Sequence, residues 1–233
     1  MGGGLASVRW LFVISGAAPL AEPAFAGAWT QAPGAQQWIA TVSHATGDFG
    51  ETWRADDYVE TGFGGGWGVN LKVEGEVRLT ETFDDRTAFR AGLQKSFALG
   101  DRASFSVMAS YLGGEALDGP ECTSNGYEAR TAIGTSFAIG GGEGFVNVEG
   151  AWRARGEDCE RGLVEAAAGF EFAPGWNLLV KAWHEEGDGA LSAKAEAGVL
   201  YDFGPVAVGV GWREEISGQF DEKGAVLTGR LRF

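Results

Sequence analysis

The chain has 233 residues, of which 39 are glycine, and it carries 32 acidic against 18 basic side chains. The resulting net charge of −14 argues against a nucleic-acid-binding protein, which needs a basic surface. A hydrophobic content of 45% argues against disorder, and two cysteines are too few for a disulfide-built scaffold. Beyond residue 20, no run approaches the ~20 apolar residues of a membrane-spanning helix. These totals favour a single acidic, glycine-rich β protein.

The first 26 residues have the pattern of a secretory signal peptide. Arg9 precedes a short apolar run that begins at Trp10, and Ala24-Phe25-Ala26 supplies the small residues at a cleavage site. We therefore predict that residues 1–26 are removed and that the mature protein begins at Gly27 outside the cytoplasm. Residues 27–35 are expected to form a periplasmic N-terminal segment.

From Gln36 onward, apolar and polar residues alternate with a period of two, which is typical of strands with two different faces. In the clearest stretch, residues 67–79, Leu71 and Val73 share one face with other apolar residues, whereas Lys72 and Glu74 lie on the opposite face. The pattern predicts twelve strands, near residues 36–46, 55–63, 67–79, 87–97, 102–112, 127–138, 145–154, 163–173, 176–186, 191–203, 205–214 and 224–233.

The connections after even-numbered strands are short, and most of those after odd-numbered strands are longer and more acidic. Aromatic residues concentrate near both ends of the strands, with Phe145 among those at the end with short connections and Trp183 among those at the opposite end. This distribution predicts the two aromatic girdles of membrane barrels. An open sheet edge in lipid would leave backbone donors and acceptors without partners, so the sheet is expected to close. We predict an all-β fold, a single transmembrane antiparallel up-and-down β-barrel of about twelve strands, spanning residues 36–233.

The final strand, residues 226–233, ends in Phe233 and has Leu231 and other apolar residues at alternating positions before it. With this ending, the chain resembles Gram-negative outer-membrane β-barrel proteins across its whole mature length. The resemblance implies that Leu231 and Phe233 belong to a signal read by the barrel-assembly machinery. It also implies location in the cell outer membrane, in contact with outer-membrane lipids and lipopolysaccharide.

Charged residues on the polar strand faces are predicted to balance, whereas the excess of acids falls in the odd-strand loops. The balanced interior allows two interpretations, a structural network of ion pairs or the lining of a narrow water-filled passage. The candidate pore-lining residues are Lys72, Glu74, Glu76, Arg78, Arg90, Arg130, Glu149, Glu196, Arg230 and Arg232. An acidic rim would concentrate cations at the mouth, and pairs such as Asp84-Asp85 and Glu157-Asp158 are candidate sites for divalent cations.

Cys122 and Cys159 fall in two long loops on the same side of the predicted membrane. In an oxidising compartment, we expect them to form a disulfide that holds these outer loops together. A catalytic thiol is the alternative.

Three functions are compatible with the sequence. The first is a narrow porin-like channel for small hydrophilic, including cationic, solutes, and the second is an accessory barrel for surface-polymer export or envelope assembly with no open pore. The third is a lipid-modifying enzyme using His44 or His184, but no hydrolase motif links a serine such as Ser43 to either histidine. We therefore predict a channel rather than an enzyme, with no cofactor and no nucleic-acid partner.

Overall fold

The computed structural model describes residues 27–48, 50–79, 85–115, 122, 125–156, 159–188 and 190–233. Twelve strands follow one another along the described chain. Their bounds are β1 Gln36–Gly47, β2 Gly50–Gly64, β3 Trp67–Arg78, β4 Arg86–Ala98, β5 Ala103–Gly114, β6 Gly126–Ile139, β7 Gly142–Arg155, β8 Glu160–Ala173, β9 Trp176–Gly187, β10 Ala190–Asp202, β11 Val206–Gly218 and β12 Lys223–Arg232. The predicted signal peptide, residues 1–26, lies outside the described residues.

Each strand pairs antiparallel with its neighbours in sequence, and β1 pairs with β12 to close the barrel. The closing seam is long and regular, running from Gln37 opposite Arg232 to Thr46 opposite Lys223. Closure leaves no sheet edge exposed, as a barrel in lipid requires. The structure confirms the predicted all-β, up-and-down barrel of twelve strands. Among the described residues, no helix is long and apolar enough to cross a membrane.

The two ends of the barrel differ in their connections. At one end, here called the short-turn end, compact turns such as Gly65–Gly66 and Gly140–Gly141 join the strands. Glycine is required in these turns, because Gly65, Gly66, Gly140 and Gly141 all have φ between 59° and 91°. The opposite end, the long-loop end, has the longest connections, residues 79–85 and 115–125.

Several strands extend further toward the long-loop end than predicted. β2 begins at Gly50 instead of residue 55, so the connection between β1 and β2 is as short as the turns at the opposite end. The acidic composition suggested a loop, but Thr52, Arg54 and Asp56 alternate with Trp53 and Ala55 and so continue the two-faced strand. The predicted contrast in loop length therefore holds for some connections only.

The outer wall of the barrel is apolar. Exposed side chains from the middle of the strands include Leu71, Val148 and Val180, and aromatic residues gather at both ends. Trp67 and Trp176 lie at the short-turn end, whereas Trp152 and Trp212 lie at the long-loop end, which is the arrangement of two aromatic girdles.

Two predicted girdle residues are placed differently by the structure. Phe145 and Trp183 face the interior, because they share strand faces with Asn147 and Glu185 respectively. Their aromatic character suggested the wall, but the period-two phase of each strand determines which face they occupy.

Candidate functional site

The barrel interior collects the polar faces of all twelve strands. The ten side chains predicted to line a passage all project to this side, since each alternates along its strand with an exposed wall residue. They are Lys72, Glu74, Glu76 and Arg78 on β3, Arg90 on β4, Arg130 on β6, Glu149 on β7, Glu196 on β10, and Arg230 and Arg232 on β12. Whether they line an open passage depends on how these charges pair and on the space between them.

The largest ion-pair cluster centres on the fully buried Glu128 of β6. Its carboxylate accepts hydrogen bonds from Arg90 Nη1 at 3.0 Å, Arg130 Nε at 3.0 Å and Arg153 Nε at 2.6 Å. Arg130 also pairs with Glu149, which links β6 to β7. One carboxylate therefore holds guanidinium groups from three strands, β4, β6 and β7. Arg153 lies directly opposite Glu128 in the pairing of β6 with β7, and Arg130 is two positions further along the same face of β6.

Smaller clusters repeat the arrangement around the barrel. Glu76 receives Arg54 at 2.7 Å and Arg78 at 2.6 Å, whereas Glu196 receives Lys181 at 3.2 Å and Arg213 at 2.8 Å. Glu185 receives Arg161 and also Arg153, which extends the Glu128 cluster to β8 and β9. Other pairs in the described interior are Lys72 with Glu74, Lys194 with Glu222, and Arg230 with Asp202. The structure thus shows the bridged interior that was one of the two interpretations of the sequence.

Several interior residues were expected in the odd-strand loops or their flanks. Arg54, Asp56, Arg155 and Arg161 lie within β2, β7 and β8 and line the interior. Their alternation with wall residues was the available signal, but it was obscured by neighbouring acidic residues on the loop flanks.

Two cavities remain inside the barrel. The loop-side cavity, of about 280 Å³, lies nearer the long-loop end, and the turn-side cavity, of about 550 Å³, lies nearer the short-turn end. The charged residues that line the loop-side cavity are predominantly basic: Arg54, Lys72, Arg90, Arg130, Arg153, Arg155, Arg161, Lys181 and Arg213, against Asp56, Glu74, Glu149, Glu165 and Glu185. Glu76, Glu128 and Glu196 are buried behind their arginine partners, so basic groups dominate the surface that a solute would contact.

The disulfide between Cys122 and Cys159 is present, with 5.8 Å between the Cα atoms, as predicted. Both cysteines are buried, and Cys159 lines the loop-side cavity. Arg161 Nη2 approaches Cys122 Sγ at 3.1 Å, and Arg161 Nε donates to the backbone oxygen of Asp188 at 3.1 Å. The disulfide therefore fixes Cys122 against the barrel wall at the long-loop end instead of leaving it in a free outer loop.

The N-terminal segment, residues 27–35, lies partly inside the barrel. Its first residues enter the interior, where Ala28 is fully buried and its backbone N–H donates to Asn147 Oδ1 at 3.0 Å. Near the short-turn rim, Gly34 N–H donates to the backbone oxygen of Gly62 at 2.9 Å, and the chain then continues into β1. No sequence pattern indicated this placement, since the interior partners of the segment are uncharged side chains on several different strands.

The two histidines lie on the outer wall near the long-loop end. His44 stacks on Trp53, with 4.6 Å between ring centroids, and its Nε2 lies 3.6 Å from Glu51. His184 Nε2 lies 3.5 Å from Glu186. Ser43 is buried on the interior face, opposite its neighbour His44, so the pair considered for nucleophilic catalysis is separated by the sheet.

A metal site finds no support in the described part of the chain, which contains no group of three or more His, Cys, Asp or Glu side chains arranged to hold an ion. Of the acidic pairs considered for divalent cations, Asp84, Glu157 and Asp158 lie outside the described residues, and Asp85 is exposed.

No family model matches the chain, and no curated protein matches its sequence. Solved structures do match its fold. An outer-membrane channel from Pseudomonas putida F1 aligns with a TM-score of 0.60 and 10% identity, covering 88% of this chain and 98% of that one. The KdgM porin aligns with a TM-score of 0.57 and 9% identity over 84% and 99% of the two chains, and the NanC porin with 0.57 and 8% over 83% and 98%. The chain therefore has the fold of outer-membrane β-barrel proteins.

Proposed function

We propose that this protein is a narrow channel for small hydrophilic solutes in the outer membrane, and that its interior favours anions. The observation that carries the proposal is the loop-side cavity, a polar space inside a closed barrel whose lining contains nine basic and five acidic side chains. Channel-type neighbours of the same fold support the general function, but their low identity says nothing about the solute.

The preference for anions differs from the cationic preference expected from the acidic loops. Exposed acids such as Glu115 and Glu214 lie at the rim, where salt screens their field over about 8–10 Å. Inside the barrel, a solute would instead meet guanidinium and ammonium groups at contact distance, with low-dielectric walls around them. Short-range contacts in a confined space outweigh a screened field at the mouth, so we assign selectivity to the lining.

Reversal potential in a planar bilayer under a potassium chloride gradient tests this assignment. The refolded protein is expected to be anion-selective. The double variant Lys72→Gln/Lys181→Gln removes two cavity-lining cations and should shift the reversal potential toward cations. The rim variant Glu115→Gln is the matched control, because neutralising an acid should produce only a small shift in the opposite direction.

Cation selectivity of the wild-type protein would contradict the anion preference. It would indicate that the acidic rim determines the selectivity. A folded, inserted barrel in which no variant passes current would contradict the channel itself. In that case, the accessory barrel without an open pore becomes the better explanation of the bridged interior.

A further inference from the structure

The entry of residues 27–30 into the barrel has a consequence for conduction. Four polar side chains from three strands, β4, β5 and β7, hold the backbone of this segment in place. Gln94 Nε2 donates to the oxygen of Gly27 at 2.8 Å, and Ser106 Oγ donates to the same oxygen at 2.9 Å. Ser104 Oγ donates to the oxygen of Ala28 at 2.7 Å, while Asn147 accepts from its N–H. Each polar backbone group of Ala28 therefore has a partner on the barrel wall, as a buried segment requires.

The wall also leaves room for the segment. Glycines lie on the strands at the positions that the segment contacts. A Cβ at Gly134 would lie 2.3 Å from the Trp29 ring. A Cβ at Gly62 would lie 2.0 Å from the backbone oxygen of Gln31, and one at Gly68 would lie 3.3 Å from Thr30. Side chains at Gly62 and Gly134 would exclude the segment in its present position, whereas Gly68 is in tight contact with it. The wall and the segment are therefore complementary in shape as well as in hydrogen bonding.

Trp29 reaches an apolar cluster in the interior. Phe145, Ala167, Leu179 and Leu200 are buried together, and Trp29 packs against them. Ala167 lines the loop-side cavity, whereas Phe145, Leu179 and Leu200 line the turn-side cavity, so the cluster lies between the two. An apolar constriction between two polar spaces is the arrangement by which hydrophobic gates block ions through dewetting.

We propose that residues 27–30 form a built-in gate, with Trp29 closing the apolar constriction between the two cavities. Displacement of Trp29 joins the cavities and opens the conducting path. Residues 27–30 carry no charged side chain and are held mainly by hydrogen bonds to neutral side chains, so the segment is more easily released than a strand of the barrel. The inference rests on the proposed channel function and adds to it a defined closed state.

Two substitutions open the gate by different means. Trp29→Ala removes the ring that fills the constriction, and Gly134→Ala places a methyl group where the ring now lies. In single-channel recordings, each is expected to raise the open probability about tenfold, which corresponds to a loss of ~1.4 kcal/mol from the closed state. Gly150→Ala on the neighbouring strand is the matched control, because its new Cβ would meet only one backbone oxygen, at 3.9 Å, and should leave the open probability unchanged.

A disulfide tether tests the same gate in the closed direction. Thr30 Cβ lies 3.5 Å from the Cβ position of Gly68, within the range of disulfide bonds, so Thr30→Cys/Gly68→Cys can join the segment to β3. The tether is built in a Cys122→Ser/Cys159→Ser background so that a reductant acts on it alone. The oxidised tether is expected to have a lower open probability than the same protein after reduction, and the background without the tether should not respond.

The outcomes separate the gate from the channel. Equal open probability in the wild-type protein, Trp29→Ala, Gly134→Ala and both redox states of the tether would overturn the gate and leave the channel intact. Folding of each variant is confirmed by heat-modifiable gel mobility. If no folded and inserted variant passes current, both the channel and the gate are overturned.

Discussion

At the scale of single residues, the interior is organised by carboxylates that each serve several cations. Glu128 contacts Arg90, Arg130 and Arg153 and has almost no contact with solvent. Burying a charge is costly in free energy unless the charge is paired. Here three cations surround one anion, and Arg130 and Arg153 also pair with Glu149 and Glu185 respectively. Loss of the central charge therefore leaves three guanidinium groups facing one another.

Glu128→Gln is expected to lower the free energy of unfolding by about 3 kcal/mol, because breaking a buried ion pair leaves an uncompensated charge. Equilibrium unfolding in denaturant, followed by loss of the folded gel band in lipid, measures the change. Glu186→Gln is the control, since its carboxylate is exposed and pairs with the exposed His184. A change of at most about 0.5 kcal/mol is expected there. Equal stability of the two variants would show that the Glu128 cluster contributes little to the fold.

At the scale of elements, β12 both closes the sheet and carries the predicted assembly signal. Its register with β1 extends over most of both strands, and Phe233 follows it at the short-turn end, where its N–H donates to the oxygen of Gln36 at 3.0 Å. Phe233 is 69% exposed on the wall, so its side chain contributes little packing to the folded barrel. Its importance should therefore appear in assembly more than in stability.

Phe233→Ala is expected to slow insertion of the barrel by the assembly machinery, with little effect on the denaturant midpoint once folded. The measurement is the rate of appearance of the heat-modifiable form in proteoliposomes that contain this machinery. Phe203→Ala is a matched control, because Phe203 is 65% exposed near the same end but is not terminal. Equal insertion rates for the two variants would show that Phe233 is not part of the assembly signal.

At the scale of the whole molecule, the apolar wall and its polar interior define the environment in which the barrel folds. Val148 is 43% exposed near the middle of β7, whereas Ile139 is 62% exposed at the short-turn end of β6. In a bilayer, the first position would face hydrocarbon and the second would lie near the interface. The same substitution should therefore cost different amounts at the two sites.

Val148→Arg is expected to destabilise the barrel by about 2–4 kcal/mol and Ile139→Arg by about 0–1 kcal/mol, following the depth dependence of charge on the lipid face. Refolding titrations in lipid vesicles give both values. Equal costs at the two positions would contradict a membrane-spanning orientation with the short-turn end at an interface.

The architecture, and the side of the sheet on which most charges lie, could be predicted from the sequence alone. Alternation with period two is a local property, readable from neighbours such as Leu71 and Lys72, and it predicted the twelve strands and the interior position of all ten candidate residues. The cysteines could be paired from their place in the loops and the oxidising compartment alone. The predicted placement was wrong where residue type and alternation indicated different positions. Asp56 was assigned to an acidic loop, and Phe145 and Trp183 were assigned to the outer wall.

Three features depend on the tertiary structure and could not be predicted from the sequence. They are the pairing of the charges, the charges that a solute would contact, and the position of the N-terminal segment. The cluster around Glu128 depends on the register of strands that are distant in sequence, and burial of Glu76 and Glu196 behind arginines makes a charge-balanced interior present a basic cavity. The position of Trp29 depends on space left by Gly134 and on hydrogen bonds from Gln94 and Ser104. These are contacts between residues far apart along the chain, and no local pattern in the sequence encodes them.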